Sequence, residues 1–423
     1  MTAEVTHTRM VKHTMRGAAL LVGVLGCIYG ISQFLRNSIG VIAPDLANEL
    51  DLSASQIGLL SSVFFFSFAS AQIPLGVALD RYGPRRCMLF CAVIAVAGAL
   101  LFAFAPSSGW LIAARILMGL GSSCYLMAPL ALYAKRFPAD RFATLVGFQI
   151  GLGTLGTLLA TAPFAWAVAA AGWRASFVVI AIAVICAAVA IVLVIPKEAS
   201  AGDDQPRESL RESFAGTLEA VRTPSFWPVF MLQLTAYSSF VMIIGLWGGP
   251  YLTHIYGYSL TDRGNMLLIA VVAQIIGSFL WGSTDRIFNS YKIPVFTGAL
   301  LTAALMATAA IVGIFSPGAL LAWFVALGGL SAYLTVIIAH GKSLFPANLV
   351  GRGLTLFNMA TMGGAFINQT ITGMVIDLFP QAGDGYAIDA YRAIFGFQSI
   401  CILLGCLAYS FSRDPRRAAR IVG

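Results

Sequence analysis

Tyr29, Gln33 and Arg36 stand at i, i+4 and i+7 within one apolar run, Ala18 to Pro44. On a helix that spacing puts a phenol, an amide and a guanidinium on one face. Lipid offers hydrogen bonds to none of them, so the stripe must face protein or water. Arg36 decides what such a face could do. A permanent cation at membrane depth costs at least ~2.5–3.5 kcal/mol to insert, which packing alone rarely justifies. Its planar fork of donors matches two oxygens of a carboxylate or phosphate, and the stripe therefore reads as a binding site for something negative. The other reading is an arginine near a helix end that snorkels to the interface or pairs with Asp45.

Other polar groups fall at similar depth. Gln233 and Tyr237 are one turn apart, Gln274 and Tyr333 lie mid-run, and Asn368-Gln369 form an adjacent pair. Each suits a ligand contact or a bond between helices equally well. Arg115 is a second cation inside an apolar run, either another anion contact or a structural brace. Trp247-Gly-Gly-Pro250-Tyr251 could act as a hinge or outer gate, or hold Trp247 in an interfacial aromatic belt. Asp45, Asp80, Asp285 and Asp377 sit at the ends of the apolar runs, never inside them. Two buried cations without a buried acid make a positive crevice that an anionic solute would neutralise. Binding would then lower the cost of bringing the walls together. His340 titrates nearest neutrality but lies beside Lys342, which favours a gate or surface role over proton coupling.

Hydrophobic residues make up 59% of the 423 and charged residues only 10%. A soluble chain needs roughly 25% charged residues to cover its surface, so most of this surface meets lipid. The chain is expected to be an all-α membrane protein of twelve transmembrane helices in two pseudo-symmetric six-helix halves. The spans fall near 17–43, 55–79, 87–105, 109–135, 142–169, 174–196, 224–253, 263–284, 292–314, 318–343, 352–379 and 389–411. The N-terminal half covers 1–196, a polar cytoplasmic linker covers 197–223, and the C-terminal half covers 224–423.

If the N-terminus is cytoplasmic, 21 of the 26 Lys and Arg fall on that side, all but Arg36, Arg115, Arg174, Arg263 and Arg392. That bias puts both termini in the cytoplasm and makes the net charge of +8 a topology signal rather than a nucleic-acid footprint. The halves echo each other: Tyr133-Ala-Lys-Arg-Phe-Pro138-Ala closes span four, and His340-Gly-Lys-Ser-Leu-Phe-Pro346-Ala closes span ten. Duplicated halves suit an alternating-access transporter with its site between them. The seven cysteines are scattered with no CxxC pair, so neither a disulfide framework nor a zinc site is implied. No nucleophile–base or metal constellation suggests an enzyme, and no cofactor is expected.

The loop after span two, Gly76-Val-Ala-Leu-Asp80-Arg81-Tyr-Gly83-Pro-Arg85-Arg86, resembles the G-x-L-a-D-r-x-G-r-r signature of the major facilitator superfamily. Arg115-Ile-Leu-Met-Gly119-Leu-Gly121 is similar to that family's R-x-x-x-G-x-G pattern on span four. The resemblance implies a cytoplasmic latch in which Asp80 faces Arg141 and the N-terminal end of span eleven. Gly76 and Gly83 would allow close packing and a turn there, and Arg81, Arg85 and Arg86 would anchor the loop. The stretch Arg36-Asn-Ser-Ile-Gly-Val-Ile-Ala-Pro44 resembles span one of organophosphate antiporters and anion–cation symporters, where the arginine holds phosphate or carboxylate. Span five reads Gly147-Phe-Gln-Ile-Gly151-Leu-Gly153-Thr-Leu-Gly156, without the Gly-Pro pair of drug antiporters. The resemblance thus implies a secondary transporter, monomeric and in the inner membrane, that takes up a small organic anion by proton symport or exchange for a counter-anion. A drug or metabolite exporter and a transporter-like solute sensor are the rival readings.

Overall fold

The computed structural model describes residues 2–137, 139–195, 216, 218–346, 349–382 and 385–414. Its side chains are described from residue 19, apart from those of 80, 135, 139, 140, 142, 143 and 382. Each expected span falls on helix, as it must where lipid leaves backbone groups no partner outside their own segment. Among the described residues ten helices are long and apolar enough to cross a membrane, Thr144–Leu159 is apolar but shorter, and the eleventh span is a 28-residue helix.

The N-terminal set comprises α1 (Thr2–Asn37), α2 (Ile39–Leu50), α3 (Ala54–Tyr82), α4 (Pro84–Ala103), α5 (Ser108–Ser122), α6 (Met127–Arg136), α7 (Ala139–Leu159) and α8 (Ala162–Val194). The C-terminal set begins with α9 (Phe226–Met242), a π-helical turn (Ile243–Trp247) and α10 (Gly248–Tyr256). It continues with α11 (Leu260–Trp281), α12 (Thr284–Ile287), α13 (Lys292–Val312), α14 (Pro317–Ser331), α15 (Leu334–Ser343), α16 (Val350–Asp377) and α17 (Ile388–Ser410). A two-stranded ribbon, Gln381–Ala382 with Gly385–Tyr386, precedes α17.

Several spans are broken where the sequence reading drew them continuous. Span one divides at Ser38, span four between α5 and α6, span ten between α14 and α15, and span seven carries the π turn. Span five ends inside α8, at Gly172, whose φ of 79° interrupts the helix before span six. Breaks of this kind free backbone groups, which the protein interior must then satisfy.

One end of the molecule carries Arg81, Arg85, Arg86, Arg136, Arg141, Arg286, Lys342 and Arg352 and is here the basic end. At the far end the two sets of helices meet. There α3 and α16 run antiparallel with Ala54 and Ser55 opposite Asp377, Gly58 opposite Gly373, Ser62 opposite Thr370 and Phe66 opposite Phe366. The four-residue step keeps one face of each helix on the seam. Between described residues, the hydrogen bonds joining the two sets all lie in this far half: Ala54 and Ser55 to Asp377, Ser61 to the Gly245 carbonyl, Thr370 to Ser62, and Arg263 to Asp45. Past Phe66 and Phe366, toward the basic end, no described hydrogen bond or ring contact ties α3 to α16. The bundle is closed at the far end.

Gly40 sets the closest approach between α2 and span seven. A Cβ there would overlap the Ile244 carbonyl oxygen and stand 3.0 Å from the Gly245 carbonyl carbon. Gly40→Val should therefore destabilise the protein by about 1–3 kcal/mol through overpacking. Gly23→Val, with open space around it, should leave the melting temperature unchanged. A fluorescence-detected melt of both variants checks the contrast.

Candidate functional site

Arg36 lies in the last turn of α1 and is 5% exposed. It has neither a carboxylate partner nor a hydrogen bond among the described residues, and its Nε is a buried donor without an acceptor. Two rings of α3 hold it, with its guanidinium carbon 4.9 Å from the Phe68 centroid and 6.0 Å from that of Phe65. Such contacts contribute roughly 0.5–2 kcal/mol, well short of what desolvating the charge costs. The alternative partner, Asp45, is engaged elsewhere: Arg263 of α11 donates to it. Burial pushes the Asp45 carboxyl up, and the Arg263 guanidinium beside it works in the opposite direction.

Tyr29 is buried two turns before Arg36, its ring against Gly153 of α7 and within electrostatic reach of both Arg36 and Tyr237 of α9. A phenol of the C-terminal set thus stands near Tyr29 of α1. Gln33 is half-buried with its Oε1 unpartnered, and Gln233, one turn before Tyr237, is 3% exposed with its Oε1 unpartnered too. Tyr29, Gln33 and Arg36 form the α1 stripe of the candidate site, and Tyr237, with Gln233 one turn before it, is its counterpart on α9. Asn37 backs it from behind, donating to the Gln33 carbonyl at 2.9 Å and to Thr157 Oγ1 at 3.5 Å.

Of the remaining sequence-selected residues, Arg115, Asn368 and Gln369 hold helices together. Arg115 is fully buried, and its Nε and Nη1 donate to the carbonyls of Leu60 and Leu35 at 3.1 and 2.6 Å. Its Nη2 donates to the Ser61 carbonyl at 3.4 Å, and the Phe64 ring lies 4.7 Å from its guanidinium carbon. With every nitrogen committed to backbone, Arg115 braces α5 against α1 and α3 rather than meeting solute. Asn368 donates to Gln398 of α17, and Gln369 donates to the Val241 carbonyl at 3.3 Å, so both join helices within the C-terminal set. Tyr333 is fully buried at the α14–α15 break, packed near Trp281 and Gly298 with its hydroxyl unpartnered. Gln274 is half-buried on α11.

His340 does not lie at the surface. It is fully buried, with Nδ1 2.7 Å from the Tyr409 hydroxyl and Nε2 3.0 Å from the Arg413 carbonyl. That carbonyl can only accept, so Nε2 carries the proton. Trp247 is buried rather than interfacial and donates to Thr372 Oγ1 at 2.8 Å.

Of the latch residues, the Asp80 side chain lies outside the described residues. Gly83 has a φ of 79° and turns α3 into α4, a conformation that suits glycine. Gly76 has open space around it, and Arg81 and Arg141 are exposed. Arg85 donates to the Val192 carbonyl at 3.0 Å and so ties α4 to α8 within its own set, a role the latch reading did not assign it.

Sequence reading missed Phe65, Phe68, Asn37 and Thr157. Aromatic and small polar residues abound in the spans, and nothing in their spacing marks the rings that touch Arg36 or the groups that hold Gln33 and Asn37.

The Major Facilitator Superfamily model matches residues 25–262. Among curated relatives, a hexuronate transporter of Bacillus subtilis is 25% identical over 86% of this chain and 90% of its own length. A probable sulfoacetate transporter of Cupriavidus necator is 28% identical, over 40% of this chain and 39% of that relative. Among solved structures, a bacterial homologue of the human lysosomal transporter Spinster, inward-facing and occupied, superposes with a TM-score of 0.70 at 19% identity, covering 94% of this chain and 96% of the other. At that identity the likeness concerns the fold.

Proposed function

Because the chain belongs to the Major Facilitator Superfamily, we propose that it is a secondary active transporter in which Arg36 anchors a small organic anion. It is a multi-pass membrane transporter and not an enzyme. One observation carries the anion reading: a buried guanidinium with no acid to neutralise it among the described residues. Carboxylate solutes named for the relatives from Bacillus subtilis and Cupriavidus necator fit such an anchor.

In this proposal the far end faces away from the cytoplasm and the basic end faces it, as the distribution of Lys and Arg favours. The chain sits in the inner membrane of a bacterial-type cell and works as a monomer. The two sets of helices act as pseudo-symmetric halves around the site, joined by the 197–223 linker. Solute bound between Arg36 of α1 and Gln233 and Tyr237 of α9 touches both halves, and so its charge lowers the cost of closing them. With no acid inside the spans to load a proton, coupling runs through a co-transported proton on the solute or through exchange of one anion for another.

A thermal-shift screen of the purified protein against mono- and dicarboxylates, sulfonates and phosphate esters should give its largest rises with one anion class. Counterflow of that anion in liposomes, with and without a pH gradient, should then show transport. Stabilisation by cationic dyes instead would point to an exporter. Anion binding without counterflow would point to a sensor.

A further inference from the structure

We propose that Asp377 is the clasp of the far-end gate: its carboxylate, seated on the N-terminus of α3, holds the two sets of helices together and releases once per transport cycle. The proposal rests on the alternating-access reading, but its first test requires no solute.

The first turn of a helix presents N–H groups that have no acceptor within the helix. In α3 the Gln56 N–H donates to Ser53 Oγ at 3.2 Å, and the Ser53 N–H donates to Gln56 Oε1 at 3.0 Å. The N–H groups of Ala54 and Ser55 remain, and they donate to Oδ1 and Oδ2 of Asp377 at 3.0 and 2.9 Å. The cap of a helix in the N-terminal set is thus completed from the C-terminal set.

Asp377 closes α16, where the negative end of its own helix dipole disfavours an acid. The residue type is favourable only across the seam, where the positive end of α3 faces it. Charge-assisted bonds from two N–H groups to one carboxylate are among the stronger polar contacts. Glycines bring the two termini within reach. A Cβ on Gly58 would stand 2.7 Å from the Gln369 carbonyl oxygen, and one on Gly373 would stand 2.8 Å from the Ala54 carbonyl oxygen. The helix backbones therefore touch one turn before the clasp, and Asp377, four residues past Gly373, lands on the same face.

To admit solute from the far side, α3 and α16 must part at this point. Separation would expose the carboxylate and both N–H groups to water, which can replace the lost bonds. Such a clasp is reversible, as a cycling gate requires. The Ser62–Thr370 contact on the seam and the Asp45–Arg263 pair between α2 and α11 also join the two sets, so loss of Asp377 alone should shift the open fraction rather than dissolve the interface.

Hydrogen-exchange mass spectrometry on full-length protein without solute tests this. Asp377→Asn should raise exchange at residues 54–66 and 366–377 about five- to thirtyfold, with α14 and α15 unchanged. Ala54→Pro removes one of the two donors from the other side, at a first-turn position that tolerates proline. It should accelerate the same segments, and the double variant should add little to the larger single effect. Unchanged exchange at 54–66 in both single variants, or acceleration spread over all helices, would overturn the proposal. Failure of every anion in the binding screen would leave these outcomes untouched, so the two ideas can fail separately.

Discussion

Arg36→Ala should weaken capture of the anionic solute at least about thirtyfold and leave the bundle folded. Truncating one member of a desolvated charge pair costs about 2–5 kcal/mol of binding, some thirtyfold or more in Kd. The folded protein loses little in exchange. Arg36 makes no hydrogen bond or ion pair with a described residue, only ring contacts to Phe65 and Phe68. Removing an uncompensated buried cation also relieves its desolvation penalty, so the melting temperature of the solute-free variant should match or exceed the parent's. Arg36→Lys keeps the charge but not the two-pronged fork and should recover part of the affinity. Isothermal titration with the best anion from the screen, paired with a thermal melt, checks all three. Undiminished binding by the alanine variant would remove Arg36 from the site.

Arg115→Met should do the reverse. The guanidinium supplies three bonds to backbone carbonyls of two neighbouring helices while fully buried. Charged donors contribute ~1.5–3 kcal/mol per bond, so about 3–5 kcal/mol of stability should vanish once the methionine stem refills part of the volume. Arg115→Lys cannot reach three carbonyls with one compact ammonium and should rescue little. Because Leu35 precedes Arg36, anion affinity should fall as well, together with the melting temperature. Arg36→Ala thus separates binding from stability, whereas Arg115→Met loses both. A stable Arg115→Met protein that has lost only binding would make Arg115 a solute contact after all.

Both arginines were conspicuous in the sequence for one reason: a guanidinium in a lipid-facing run has to be compensated by something. The sequence left two roles open for Arg115, because carbonyls as partners leave no mark in a residue pattern. Asn368 and Gln369 illustrate the same limit. Their depth in the membrane was legible, but whether each faced solute or a neighbouring helix depended on helix rotation. Gln398 and Val241, which they meet, lie 30 and 128 residues away. Asp45 was read as a helix-end acid or as a partner for Arg36, and Asp377 only as a helix-end acid. Their partners, Arg263 and the first turn of α3, come from the opposite set of helices.

Helix formation and depth were determined by the sequence itself. In lipid a segment must satisfy its own backbone hydrogen bonds, and hydropathy and the placement of Lys and Arg are properties of local stretches. The lone cation on span one belongs to the same class of facts, because its cost does not depend on what surrounds it. The tertiary structure alone decided which rings touch Arg36, which arginine is a brace, and where the two sets of helices meet. Those outcomes turn on how far backbones approach at Gly40, Gly58 and Gly373, and that distance exists only once helices remote in the chain have packed.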